Sequence, residues 1–229
     1  MGIRDLVIYT HSDYRDAWIP LLKSLKKYAP EFKLHFFVNE KDEFLSEYRQ
    51  IIYDENLNYT QRLKDSFDKI EIDEFIFMHE DMFLYDFPKL DYIDIYSKLL
   101  KEKKIGSVKL IPVGSHLMRC AFEETLYITE YSKFSIQPTI ISKSRIIDIL
   151  NDVVNLNIWD FESSIKSTHH DYIAKIGGEK KVGIFHYESL VFPYIATAIV
   201  KGKWNFSEYP ILAKILEECQ IDSKIRGVL

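Results

Sequence analysis

Glu74-Phe75-Ile76-Phe77-Met78-His79-Glu80-Asp81-Met82-Phe83-Leu84 is a short apolar run that ends in two adjacent acidic groups. An acidic pair at the carboxyl end of a buried strand stands where an α/β sheet places its ligand-binding residues, because that edge opens into the crevice between connecting loops. Two hard oxygen donors there suit a divalent cation, Mg²⁺ or Mn²⁺, which is usually bound by one or two carboxylates plus the phosphate oxygens of a substrate. The alternative is that Glu80 and Asp81 only solvate a turn after a core strand.

Upstream of this run, residues 5–10 read as a first buried strand. Residues 13–28 read as a helix whose Trp18, Leu21, Leu22 and Leu25 recur on one face, capped by Ser12 or Asp13. After the break at Pro30, residues 32–38 read as a second strand. Residues 60–70 follow as a second amphipathic helix with Leu63, Phe67 and Ile70 inward, leading into the acidic strand. This alternation predicts an α/β fold with a mostly parallel central sheet flanked by helices. Downstream, a helix is expected over 92–103, a strand over 106–112, and a helix over 142–154 with Ile146, Ile147, Leu150 and Val153 on one side. A further helix starts near Asp160. With no repeat, low-complexity tract or linker, the chain reads as a single domain over 1–229, with a first half, 1–112, that carries the acidic strand edge and a second half, 113–229, that packs on it.

The 229 residues are 47% hydrophobic and 28% charged, the balance of an ordinary globular protein. Against 30 Lys+Arg stand 35 Asp+Glu, dispersed along the chain, so there is no concentrated basic stripe for a nucleic-acid backbone. Cys120 and Cys219 have no spacing that suggests a zinc site or a disulfide framework, consistent with a reducing, cytoplasmic setting. Met1-Gly2-Ile3-Arg4-Asp5-Leu6 has no apolar signal core. The longest apolar stretch, 190–200, is too short to span a bilayer and contains Pro193 and Thr197, so any membrane association is expected to be peripheral.

The first strand runs into His11-Ser12-Asp13-Tyr14-Arg15 rather than a glycine-rich loop, which disfavours dinucleotide and P-loop enzymes. It also counts against sugar-phosphate nucleotidylyltransferases, whose first loop cradles a triphosphate on backbone amides. Five segments then occur in order: Tyr59-Thr60-Gln61-Arg62-Leu63, His79-Glu80-Asp81, Phe134-Ser135-Ile136-Gln137-Pro138, Trp159-Asp160-Phe161-Glu162 and Lys201-Gly202-Lys203-Trp204. In this order they resemble a bacterial and viral group of glycosyltransferases with the GT-A fold, in which an acidic pair plays the part of the Asp-x-Asp metal motif. Two residues depart from that pattern. Glu80 replaces an Asp, and His79 occupies the first Asp position, where an imidazole would hydrogen-bond a ribose without binding metal.

The resemblance implies transfer of a sugar from a nucleotide-sugar donor to a glycan hydroxyl, as in polysaccharide biosynthesis, assisted by Mn²⁺ or Mg²⁺. Asp81 is then the direct metal ligand, with Glu80 on metal-bound water or the nucleotide. His186 would complete the set unless it is a satisfied core histidine. His11, Ser12 and Asp13 lie where this fold type meets the nucleoside. Arg62 reaches a phosphate or base, unless it pairs with Asp65 or Asp68 on its own helix. Lys201 and Lys203 flank a glycine, so a flexible loop would close two ammonium groups over a departing diphosphate; the alternative is a solvated turn. Glu162, and after it Asp160, would take the acceptor's proton, while the competing account makes Asp160 an N-cap and Glu162 a first-turn acid. His169 and His170 read as surface residues, and 177–181 as a turn. Two other readings remain: a non-catalytic nucleotide-sugar or glycan-binding protein on the same fold, and a nucleotidylyltransferase.

Overall fold

β1 (Asp5–Tyr9), β2 (Lys33–Val38) and β4 (Glu74–His79) are buried through consecutive residues rather than alternate ones, the pattern of strands covered on both faces. The computed structural model describes residues 2–112, 117–129, 135–153, 155–164, 170–176, 180–183 and 186–229. Phe134, His169, Gly177, Gly178, Glu179, Ile184 and Phe185 lie outside the described residues.

β1 sits between β2 and β4, parallel to both, and β3 (Arg49–Ile52) extends the sheet beyond β2. Beyond β4 come β8 (Thr139–Ser142), β5 (Ser107–Lys109), β9 (Asp171–Ala174), β7 (Leu126–Thr129) and β6 (Leu117–Arg119), giving a nine-stranded sheet in the order β3-β2-β1-β4-β8-β5-β9-β7-β6. Following the pairings across the sheet, only β8 and β7 run against the other seven strands. The mostly parallel α/β sheet expected from the sequence is therefore present. It takes strands from both sides of residue 112, so one sheet joins the two halves of the chain.

The helices are α1 (Arg15–Tyr28), α2 (Tyr59–Lys69), α3 (Leu90–Lys101), α4 (Lys143–Asn151), α5 (Ile158–Ser164), α6 (Ile211–Glu218) and α7 (Ser223–Arg226). α1 buries Trp18, Leu21, Leu22 and Leu25 as its periodicity demands. Its start differs from expectation: a single 3-10 turn precedes it, capped by the His11 ring rather than by Ser12 or Asp13. α2 begins with a reciprocal capping box, in which Asn58 Oδ1 accepts from the Gln61 amide (3.1 Å) while Gln61 Oε1 accepts from the Asn58 amide (3.3 Å). In α4 the buried set is Ile146, Ile149 and Leu150, with Ile147 only partly covered, so the inward face is rotated from the predicted one.

The apolar stretch 190–200 is core, not surface. Tyr85 and Ile195 donate backbone bonds to Pro193 and Phe83, Leu84 bridges to Tyr194, and the Ala198 amide donates to the Asp81 carbonyl (3.1 Å). This ladder runs up to the acidic pair and ties the late chain to the end of β4. Among the described residues no helix is long and apolar enough to cross a membrane.

Candidate functional site

The carboxyl ends of the parallel strands share one edge, and the register fixes what meets there. Tyr9 is paired with Phe37 and with His79, so the ends of β1, β2 and β4 stand side by side. Glu80 is 7% exposed and Asp81 half-buried; Asp81 Oδ2 accepts the Ile199 amide (3.2 Å). Burial pushes the Glu80 carboxyl well above its ordinary range, and the neighbouring Asp81 charge adds to the rise. Asp81 is raised to about 6, again chiefly by burial, with the Ile199 amide opposing. Two adjacent carboxylates drawn out of water are thus short of positive charge.

One cation within reach was not foreseen. Arg226, in α7, favours the ionised form of both Glu80 and Asp81. Its guanidinium forks onto Asp16 (2.8 and 2.5 Å) and donates to the carbonyl of Asp13 (2.8 Å). It also lies 4.7 Å from the Tyr14 ring centre and 5.7 Å from that of Trp204. No local motif marks Arg226, because every partner except Trp204 and Gly202 is at the far end of the sequence.

Lys201-Gly202 is a tight turn rather than an open loop. It joins β10 (Ile199–Val200) to β11 (Lys203–Trp204), and both corner residues have positive φ, +49° and +75°, as a primed two-residue hairpin requires. The hairpin holds Lys201 and Lys203 exposed beside the acidic edge, since Ile199 at its base bonds Asp81 and Arg226 donates to the Gly202 carbonyl (3.4 Å).

The nucleoside-side candidates form a polar cluster past β1. Asp13 donates its amide to His11 Nδ1 (3.1 Å), leaving the His11 Nε2–H for Glu55 Oε1 (3.1 Å). The Ser12 amide donates to Asn39 Oδ1 (2.8 Å), and Asn39 Nδ2 donates to Ser12 Oγ (3.0 Å) and Glu55 Oε2 (3.4 Å). Asn39 and Glu55 were missed; Asn39's place one residue past β2 was the available signal. Arg62 bonds neither Asp65 nor Asp68. Its donors go to the carbonyls of Leu57 (2.7 Å) and Glu55, while its guanidinium lies 5.5 Å from the Tyr53 ring centre, and Tyr53 stacks on Tyr9. His79 turns into an aromatic box of Tyr9, Tyr59 and Phe77, with Nε2 bonded to the Tyr59 hydroxyl (2.9 Å). Burial lowers it to about 3, so it is a neutral ring at ordinary pH.

In the segment expected to serve the acceptor, Asn157 rather than Asp160 caps α5, accepting the Trp159 and Asp160 amides. Asp160 is exposed and accepts from Asn157 Nδ2 (2.6 Å). Glu162 lies beyond the first turn and is partly buried, with Oε1 accepting the Ile136 amide (2.6 Å). Burial raises it; the Ile136 amide and the Lys109 charge oppose that rise. Trp159 is 69% exposed, whereas Trp18 and Trp204 are buried. His186 has a buried Nδ1 without a hydrogen-bond partner among the described residues, and Glu208 and Lys109 are the charges it feels. No three His, Cys, Asp or Glu side chains come together as a metal-holding group among the described residues, so His186 does not join Glu80 and Asp81.

No protein-family profile and no curated protein matches the chain by sequence. Solved structures do match it in shape. S. aureus TarS 1-349 aligns at a TM-score of 0.52 with 12% identity, covering 98% of this chain and 66% of that one. The same fragment in complex with UDP-GlcNAc aligns at 0.52 with 14% identity, covering 94% and 65%. HddC from Yersinia pseudotuberculosis aligns at 0.45 with 14% identity, covering 94% and 99%. This chain spans just under two thirds of the TarS fragment. Its fold is GT-A-like.

Proposed function

We propose that the protein is a glycosyltransferase that moves a sugar from a nucleotide-sugar donor to a hydroxyl of a glycan acceptor in a reducing, cytoplasmic compartment. The observation that carries the reading is the under-compensated acidic pair at the carboxyl edge of β4, faced by Arg226 and rimmed by the Lys201–Lys203 hairpin. Two carboxylates with one committed arginine suit a divalent cation that also binds phosphate oxygens. When bound, such a cation would neutralise charge on the diphosphate.

The chain's own residues supply the rest. His11, Ser12, Asp13 and the Tyr53–Arg62 stack lie where a nucleoside would extend from the edge, and His79 supports Tyr59 and Tyr9 from behind. Lys201 and Lys203 would attract the diphosphate and stabilise its charge as the bond to the sugar breaks. The acceptor oxygen would attack the anomeric carbon as Glu162 takes its proton, with Asp160 as the second candidate base. The two free cysteines support the reducing compartment.

A panel of nucleotide sugars tests this reading, with calorimetry of UDP and GDP in the presence and absence of Mn²⁺. Slow release of free nucleoside diphosphate, and tighter binding with metal, are the expected results. Pyrophosphate chemistry would make the protein a nucleotidylyltransferase. Binding with no turnover on any acceptor would make it a non-catalytic nucleotide-sugar-binding protein on the same fold.

A further inference from the structure

Lys109 is a buried cation that the chemistry above leaves unused. It ends β5 and is 7% exposed, an uncommon place for an ammonium group. The backbone connects it in three steps to the amide that holds Glu162. Lys109 is paired with Thr139 across β8, the next amide, of Leu110, donates to the Pro138 carbonyl (2.8 Å), and the Ile136 amide two residues earlier holds Glu162 Oε1. The segment 136–139 thus links the end of β5 to the carboxylate of α5.

We infer that Lys109 is a positioning residue for Glu162, a buried ammonium that keeps the carboxylate ionised and able to accept a proton. This rests on the reading of Glu162 as the base. Tyr59 is the titratable group that reaches Glu162 from α2; Asp171 and His186 are the others that Lys109 feels or acts on. Asp171 already takes two bonds from Arg145 (3.2 and 2.6 Å) and one from Ser107 Oγ (2.8 Å), and a neutral tyrosine gives Glu162 no counter-charge. Burial lowers Lys109 to about 8, so it is still charged at neutral pH. Without it, among the described residues the Ile136 amide alone would oppose the burial that favours protonated Glu162.

The test uses the whole chain labelled with ¹³C in its glutamate carboxyls, the Glu162 signal being assigned by its loss in Glu162→Gln. In Lys109→Met the Glu162 titration midpoint should rise by about one unit, and Lys109→Arg should restore it. An unmoved midpoint in a folded Lys109→Met, or in Lys109→Gln should the first variant not fold, overturns the inference. The acid limb of the transfer rate should follow the same shift. If the midpoint moves while the acid limb stays, Lys109 still governs Glu162 but Glu162 is not the base. In that case the catalytic reading fails and the electrostatic one survives.

Discussion

The acidic pair and Glu162 are carboxylates at the same edge, both raised by burial, yet they are balanced differently. Glu80 and Asp81 repel each other, and Arg226, the cation that acts on both, is already forked onto Asp16. Glu162 has, among the described residues, one amide donor and one buried lysine charge to favour its ionised form. A site with surplus negative charge calls for an added cation, whereas a compensated single carboxylate suits proton transfer. Under the proposed function, the first site would bind the donor and the second would activate the acceptor.

The largest expected effect is at Glu162. Glu162→Gln keeps an acceptor for the Ile136 amide, so folding and donor binding should persist while transfer falls by on the order of 10²- to 10⁴-fold. Melting temperature measured beside transfer rate checks it; a stable, fully active variant would remove Glu162 as the base. Next comes Asp81→Asn, which should abolish the gain in nucleoside diphosphate affinity that Mn²⁺ gives, a loss of roughly tenfold or more, because an amide is a poorer ligand for a hard cation. Calorimetry with and without metal reads this directly. An Asn variant with the full metal response would place the cation elsewhere.

Lys203→Ala is expected to lower turnover by about tenfold while changing donor affinity less, since an ammonium beside the leaving group acts mainly on developing charge. Should Lys201→Ala and Lys203→Ala both keep full turnover, the hairpin is structural only. The smallest effect belongs to Asp160→Asn. This exposed side chain supports only the α5 start, so the change should cost at most about 1 kcal/mol of stability and leave the rate nearly unchanged. A rate loss equal to that of Glu162→Gln would pass the base role to Asp160 and erase the contrast.

The sequence showed the two sites unequally. β1, α1, β2, α2 and β4 were legible because their burial repeats at a period or fills a run of four or more residues. β8, β9, β10 and β11 are two to four residues long, too short for any period to declare itself, and of β8 only its last residue, Ser142, fell within an expected element, the helix over 142–154. Glu80 and Asp81 were visible because they end a strand. Arg226 and Lys109 were not, since what matters about each is its surroundings, and those come from distant segments. The Asn58–Gln61 spacing carries a capping box that the sequence reading did not use: its helix began at residue 60, whereas α2 begins at Tyr59.

The Asp16–Arg226 fork joins residues 210 positions apart. A contact of that separation closes a very large loop, whose entropic cost is met only once the intervening chain is organised. The edge around Glu80 and Asp81 is therefore expected to form late in folding, after the parallel strands have paired. Hydrogen exchange during refolding should then protect Ile8 and Phe77 before Trp204. Competence to bind the donor would arise as the last cooperative step of folding, so partly folded chains would not draw on the nucleotide-sugar pool.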